Sequence, residues 1–246
     1  MPAAHLESNA YSRREADNIV NDRAEYFDLV NAYPELFRNP PDAGFMILLE
    51  EAEIRQAEEG AAERLREAGM PIEWAQVGVA FRDQYVLLLR DAVRFADGSL
   101  GTYIRTVAPG HSFPGVVILP VWEGKVLLIR HFRHATRSWH LEIPRGFGLD
   151  ADPRQSARHE LSEEIGVSDA RLVDLGEIYP DAGADAGTVA LFYAEVTSYG
   201  QPELVEGITD IIPTPVAEFE RMIRDCELQD GFLLAAYARA KARQLM

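Results

Sequence analysis

The segment Leu141–Val167 restricts the fold of this chain more than any other, because it predicts a loop that leads into a helix with defined ends. Asp152 followed by Pro153 suits a helix start, with the aspartate as N-cap residue and the proline in the first turn. Gly166 is a natural helix stop, since glycine readily adopts the left-handed conformation that ends many helices. An apolar stripe with helical spacing would hold this helix against a core. The stripe consists of Ala157, Leu161 and Ile165.

Three glutamates share one face of this predicted helix. Glu160, Glu163 and Glu164 stand at i, i+3 and i+4, so their carboxylates lie close together and repel one another. Bound Mg²⁺, which prefers oxygen ligands and also binds substrate phosphates, would turn this repulsion into coordination. Taken alone, such a cluster in an acidic protein is more often a solvated surface, so the surrounding sequence has to decide.

The charge balance narrows the classes of function. The 246-residue chain has a formal net charge of -16, and Lys125 and Lys241 are its only lysines. Such a surface repels nucleic acids and anionic membranes at long range, so we expect neither as a partner. A phosphorylated substrate would therefore need local positive charge from arginines or from bound metal.

Three observations predict a cytoplasmic protein. The longest apolar stretches, such as Gly115–Val121, are far shorter than the ~20 residues of a membrane span. Residues 1–14 lack the apolar core of a secretory signal. Cys226 is the only cysteine, which excludes an internal disulfide and a zinc site built from cysteines.

The order of the predicted elements favours an α+β fold. Residues 1–74 are acidic with helical periodicity, and we assign them to an N-terminal helical extension. Residues 75–246 form a second predicted domain, in which the turn pairs Asp97-Gly98 and Glu123-Gly124 join strands into hairpins. The predicted strands are Tyr85–Phe95, Tyr103–Ala108, Val116–Trp122, Val126–Phe132, Leu172–Tyr179 and Val189–Thr197. The further predicted helices are Ala16–Phe37, Ile47–Ala68, Ala217–Cys226 and Gly231–Gln244.

The loop and helix resemble the Nudix box, G-x5-E-x7-R-E-U-x-E-E-x-G-U, in which U is a bulky aliphatic residue. Here the second half is the run from His159 to Val167, and only its arginine position, occupied by His159, departs from the pattern. Gly146 matches the opening glycine, and Asp152 replaces the first glutamate, with one residue missing before His159. A match of this length makes the chain similar to the Nudix hydrolases.

The resemblance extends over about Tyr85 to Gln244 and is closest to the ADP-ribose pyrophosphatase branch. Arg130–Arg133 stands where that branch has a basic Q-Y-R-like tripeptide, and Leu141–Gly146 matches its L-E-x-P-x-G. Asp230-Gly231 resembles its D-G pair before a last helix. The resemblance implies an α/β/α sandwich, that is, the Nudix fold with a mixed β-sheet, plus an N-terminal helical extension.

The resemblance also implies an activity and a cofactor. The expected reaction is hydrolysis of the diphosphate bond in ADP-ribose or a related nucleoside diphosphate sugar, which gives a nucleoside monophosphate and a sugar phosphate. By position in the family pattern, Glu160, Glu163 and Glu164 would be catalytic and would bind Mg²⁺, with Mn²⁺ as an alternative. The backbone carbonyl of Arg145 is the expected fourth metal ligand.

Substrate binding is expected from residues on either side of this loop. Arg133 and Arg130 would pair with phosphate oxygens, for which the guanidinium fork is suited. Glu142, from the matching L-E-x-P-x-G, completes the predicted substrate-binding residues.

Two departures from the family pattern concern catalysis. His159 replaces an arginine that orients a box carboxylate; a neutral histidine can still donate one hydrogen bond. The loop Asp181–Thr188 lacks the glutamate that often serves as general base, and Gly187 stands in its place. Asp185 or Asp181 could take over that role, or a box glutamate could act alone; we take Asp185 as the candidate.

These departures leave two functions open. A Nudix domain that has lost efficient turnover would act as a nucleotide-sugar sensor or partner-binding module, and the missing loop glutamate favours that reading. The three intact glutamates favour the enzyme, since a sensor has less need of all of them, and we predict an enzyme.

The resemblance also implies an oligomeric state. Family members of this branch are commonly homodimers, so we expect a homodimer here.

Overall fold

The computed structural model describes residues 22–107, 113–203 and 207–246, which divide into two compact units. Of the described residues, the first unit contains 22–107 together with Gly183–Ala186. The second unit contains residues 111–182 and 187–246. Within the described ranges, no helix is long and apolar enough to cross a membrane.

The first unit is built on an antiparallel sheet whose central strand is β3. Strand β4 pairs along one edge of β3, while β1 and β2 pair with successive halves of its other edge. The strands are β1 (Met46–Leu48), β2 (Gly78–Arg82), β3 (Leu87–Arg94) and β4 (Leu100–Val107). The helices are α1 (Arg23–Ala32) and α2 (Glu51–Glu67), with 3-10 turns at Pro34–Phe37 and Ile72–Ala75. Side chains of α1 and α2, among them Tyr26 and Ile54, form one apolar cluster with Leu87 and Leu89 of β3.

The second unit contains a seven-stranded mixed sheet with β5 and β10 as its parallel pair. The main strand order is β11-β6-β5-β10-β9, with β7 paired to β6 and β8 paired to β5. The strands are β5 (Phe113–Trp122), β6 (Lys125–Arg133), β7 (Ser138–Glu142), β8 (Arg145–Gly148), β9 (Ala170–Ile178), β10 (Val189–Val196) and β11 (Ile208–Pro215). The helices are α3 (Pro153–Ile165), α4 (Val216–Arg224) and α5 (Gly231–Ala242).

Helices cover both faces of this sheet. Along β5, Val116 and Ile118 pack in a cluster with α3, whereas Val117 and Leu119 pack in a second cluster with α4 and α5. Successive residues of a strand point to opposite faces, so the two clusters are the two sides of the sheet. The predicted α/β/α sandwich with a mixed sheet is therefore confirmed.

Local signals placed several elements correctly. Glu123 and Gly124 form a two-residue hairpin turn with φ of 47° and 73° between the pairs Val121–Val126 and Trp122–Lys125. Positive φ at both positions matches the right-handed twist of the flanking strands.

Two parts of the predicted elements lie outside the described residues. They are residues 16–21 of the predicted helix Ala16–Phe37, and Ala108 at the end of a predicted strand.

Other elements differ from the sequence predictions. The predicted helix Ile47–Ala68 starts with strand β1 and becomes helical only at Glu51, because residues 46–48 pair with β3. Strands β2, β7, β8 and β11 were not predicted. β11 contains Pro213 and Pro215, which argue against a strand in sequence, but it lies at a sheet edge where a missing N–H is tolerated.

The division into units also differs from the predicted domain boundary between residues 74 and 75. β2, β3 and β4 pair with β1 and pack against α1 and α2 in the first unit. Residues 78–107 therefore share a core with helices α1 and α2, and the described part of the second unit begins at residue 113.

Candidate active site

The carboxylates predicted to bind metal lie on α3, whose ends are fixed as the sequence predicts. The Asp152 side chain caps the helix by accepting a hydrogen bond of 3.0 Å from the backbone N–H of Arg154, and Pro153 begins the first turn. Gly166 ends it with a left-handed φ of 63°, and a side chain there would meet the backbone of Gly200 at 2.8 Å. These two caps fix where the helix begins and ends, and with that which residues face the sheet.

Two of the three glutamates point into the protein. Glu160 and Glu164 are buried, at 8% and 2% exposure. The backbone N–H of Arg145 donates a hydrogen bond of 3.0 Å to Glu164 Oε2. Charged carboxylates are rarely buried unless partner groups offset the loss of hydration, so their burial beside β8 marks a functional or tightly bonded site.

Gly146 makes room for the Glu160 carboxylate. A Cβ atom added to Gly146 would lie 2.0 Å from Glu160 Oε1, a distance at which one of the two groups must move. The glycine that opens the Nudix-like pattern is therefore needed here for space.

Gly146→Ala should displace the Glu160 carboxylate and lower the hydrolysis rate. If Glu160 binds metal as predicted, moving its carboxylate by about an ångström should cost roughly a hundredfold in rate. The rate is measured with a nucleoside diphosphate sugar at saturating metal. Gly44→Ala is the control, because Gly44 lies in the first unit and a Cβ added there would have no atom within 4 Å. Equal rates for both variants would show that this close contact does not matter.

The third glutamate has a different partner. Glu163 is partly exposed, and its Oε1 lies 3.1 Å from Nε2 of His159, one helical turn earlier. In the described ranges no three His, Cys, Asp or Glu side chains are grouped closely enough to hold a metal ion. The structure thus brings Glu160 and Glu164 to β8 and pairs Glu163 with His159. Two buried carboxylates one turn apart still supply the oxygen donors that a hard divalent cation prefers.

His159→Ala should lower the hydrolysis rate about tenfold, because the contact that orients Glu163 is lost and such supporting contacts are typically worth 10- to 100-fold. His159→Arg should retain activity, since a guanidinium can make the same contact with a permanent charge. Steady-state hydrolysis rates of the two variants and the wild type show whether His159 supports Glu163. Identical rates for all three proteins would remove position 159 from the site.

An alternating chain of charges runs beside the carboxylates. Glu142 on β7 is 2% exposed, and its Oε2 lies 2.6 Å from Nη2 of Arg133 and 3.2 Å from Nη2 of Arg145. Nη1 of Arg145 lies 3.0 Å from Oδ2 of Asp230. We call Arg133, Glu142, Arg145 and Asp230 the charge chain. The sequence analysis identified Asp230 only as part of the Asp230-Gly231 pair. Its place just before a predicted helix, where an N-cap residue is expected, was the sequence signal that could have drawn attention to it.

Arg130 lies apart from the charge chain. Arg130 and Arg133 are three residues apart on β6, so they point to opposite faces of the strand. The Arg130 guanidinium lies 4.1 Å from the ring centroid of Trp139 and beside a cavity of about 220 Å³. Its wall is made by Arg130, Ser138, Trp139, His140, Leu141, Glu227 and Gln229.

His131, between the two arginines, is a buried neutral residue. Burial and the nearby Arg133 charge lower the pKa of His131 to about 4, because both disfavour the protonated ring. It therefore contributes no positive charge to the site near neutral pH.

Asp185 belongs to the first unit, unlike the other predicted site residues. It forms an isolated bridge with Thr106 of β4, whose N–H donates a hydrogen bond of 2.7 Å to the carbonyl of Ala184. The carbonyl of Thr106 in turn accepts a hydrogen bond of 3.0 Å from the backbone N–H of Ala186. Asp181 and Gly187 belong to the second unit.

Comparisons with known proteins identify the domain and its fold. Residues 111–223 match the family model of the NUDIX domain. No curated protein gives a significant match to the chain. A crystal structure described as that of an ADP compounds hydrolase is similar with a TM-score of 0.55 and 18% sequence identity, covering 68% of this chain and 90% of that chain. At this identity the similarity establishes the fold.

Proposed function

We propose that this chain is a Nudix hydrolase, on the match of residues 111–223 to the NUDIX domain, and that it cleaves the diphosphate bond of ADP-ribose or a related nucleoside diphosphate sugar. The products would be a nucleoside monophosphate and a sugar phosphate. The observation that carries the proposal is the burial of Glu160 and Glu164 against β8, with Glu164 bonded to the backbone N–H of Arg145. The ADP compounds hydrolase with a similar fold supports the substrate class.

We propose Mg²⁺ as the cofactor, with Mn²⁺ as an alternative. Glu160 and Glu164 would be the principal ligands, together with the backbone carbonyl of Arg145, and Glu163, which lies apart beside His159, would share a second ion. A bound divalent ion would lower the pKa of water and offset charge on the phosphate oxygens. The protein's own part is to keep the carboxylates in place, through the fixed ends of α3 and the space left by Gly146.

For the substrate we propose Arg133, Arg130 and Glu142 as binding residues. Arg133 is partly exposed and already paired with the buried Glu142, which holds its guanidinium in one orientation. A guanidinium fixed in this way can offer its remaining N–H groups to phosphate oxygens without losing further side-chain freedom. Arg130, with Trp139, would contact a part of the substrate other than that bound by Arg133, since the two arginines face opposite sides of β6.

We propose Asp185 as the general base that takes a proton from the attacking water. Asp185→Asn should then lower kcat by about 10²–10⁴ while leaving substrate affinity almost unchanged, because only the chemical step loses the base. Asp181→Asn is the matched control on the same loop. If both variants keep the wild-type rate, a box glutamate acts alone or no base is present, and the assignment of Asp185 is wrong.

The competing function is a sensor that binds a nucleotide sugar without efficient turnover. The experiment that decides is a panel of nucleoside diphosphate compounds, incubated with Mg²⁺ or Mn²⁺ and analysed for a nucleoside monophosphate and a sugar phosphate in equal amounts. Stoichiometric products, lost in Glu164→Gln, would support the enzyme. Tight binding of ADP-ribose with no product in either metal would overturn the enzyme and leave the sensor.

We further propose that the protein is a cytoplasmic homodimer. Phe81 and Ile104, at 51% and 43% exposure, lie on the same face of the first unit's sheet, and such apolar exposure suits contact with a second copy. Light scattering of the purified protein measures its mass directly, and Ile104→Asp should produce monomers. A monomeric wild type would contradict the proposal.

A further inference from the structure

Asp230 has two separate contacts, one for each carboxylate oxygen. Oδ1 accepts a hydrogen bond of 2.8 Å from the backbone N–H of Leu233 and so caps α5. Oδ2 lies 3.0 Å from Nη1 of Arg145, across 85 residues of sequence. The side chain is 8% exposed, so this ion pair is protected from solvent. Capping alone would not require a charged oxygen turned toward β8.

Arg145 connects this ion pair to the metal-binding helix. Its guanidinium is held by Asp230 and Glu142 and packs 4.9 Å from the ring centroid of Phe232. The backbone N–H of the same residue donates to Glu164 Oε2 at 3.0 Å. The guanidinium of Arg145 is thus held by two carboxylates, while its backbone pairs with Val117 of β5, so the residue has little freedom to move at either end. The hydrogen bond to Glu164 therefore has a fixed donor.

We infer that Asp230 is a positioning residue for metal binding: by holding the Arg145 side chain, it fixes the backbone N–H that orients the Glu164 carboxylate. The inference rests on the proposed function, in which Glu164 binds the metal. Groups that orient a metal ligand typically change metal affinity or activity by 10- to 100-fold when they are lost.

Asp230→Asn separates the two roles of this side chain. Asparagine is as good an N-cap residue as aspartate, so its Oδ1 keeps the bond to Leu233. Its amide group replaces the charged Oδ2 and turns N–H donors toward the N–H donors of Arg145, which removes the attraction. Asp22→Asn is the matched control, because Asp22 caps α1 through the same kind of bond to the N–H of Glu25 at 2.8 Å.

The test measures metal binding directly as well as activity. Mn²⁺ is titrated into the metal-free protein and free ion is followed by electron paramagnetic resonance; hydrolysis is then measured against Mg²⁺ concentration. Asp230→Asn should weaken Mn²⁺ binding about tenfold and raise the half-saturating Mg²⁺ concentration by a similar factor. Its melting temperature should stay close to that of Asp22→Asn, and Asp22→Asn should bind metal like the wild type.

A double-mutant cycle tests the route through Arg145. In an Arg145→Met background, Asp230→Asn should have less than about a twofold further effect on Mn²⁺ binding, because the partner of Oδ2 is already gone. Undiminished metal binding by Asp230→Asn, or an equal effect with and without Arg145, would overturn the inference. If no substrate is hydrolysed in any metal, the proposed function fails, while the Mn²⁺ titration still decides the role of Asp230.

Discussion

Glu164→Gln should lower kcat about a thousandfold or more while leaving the protein folded. Loss of one carboxylate ligand sacrifices several kcal/mol of transition-state stabilisation, and each 1.4 kcal/mol is about tenfold in rate. The fold should persist because glutamine has the same shape, and its carbonyl oxygen can still accept the bond from the N–H of Arg145. Replacing a buried charge by a neutral amide also removes a desolvation cost.

Rates at saturating Mg²⁺, together with the melting temperature, check this prediction. Glu195→Gln is the matched control, since Glu195 lies in the same unit but is exposed and paired with Arg171 on the surface. Exposed pairs of this kind contribute about 1 kcal/mol or less, so that variant should behave as wild type. A near wild-type rate for Glu164→Gln would mean that α3 is not the catalytic helix.

Asp91→Ala should lower the free energy of unfolding of the first unit by about 3–5 kcal/mol. Asp91 is 1% exposed, accepts a hydrogen bond of 2.7 Å from the Tyr26 hydroxyl and lies 2.6 Å from Nε of Arg105. Its removal leaves the largely buried Arg105 charge without this partner and the Tyr26 hydroxyl without its acceptor. Burial and the neighbouring Asp91 charge raise the pKa of Tyr26, so the hydroxyl remains a donor at all ordinary pH values.

Urea unfolding measures this loss. In a Trp122→Phe, Trp139→Phe background, the fluorescence of Trp74 reports on the first unit alone. Asp97→Ala is the control, because Asp97 is an exposed turn residue of the same unit, and its loss should hardly change the stability. An Asp91→Ala midpoint equal to that of Asp97→Ala would show that the buried network contributes little.

Sequence patterns found those parts of the site whose structure is decided locally. α3 could be predicted because its cap, its apolar stripe and its stop all lie within the helix or next to it. The hairpin turn at Glu123-Gly124 is local for the same reason. The sequence analysis grouped Arg130 and Arg133 as partners of phosphate oxygens, whereas the structure places them on opposite faces of β6.

The amino-acid sequence by itself determined the helix and the residues that it presents: three glutamates at helical spacing, a glycine before them and the family pattern around them. Only the tertiary structure decided which charges meet. The ion pair between Arg145 and Asp230 joins residues 85 positions apart, and nothing in their local sequence specifies it. β1 and β11 likewise became strands because they pair with β3 and β6, residues distant in sequence. Whether such a segment becomes a strand depends on pairing and burial between distant parts of the chain. The β-propensity of a short segment does not include these contributions.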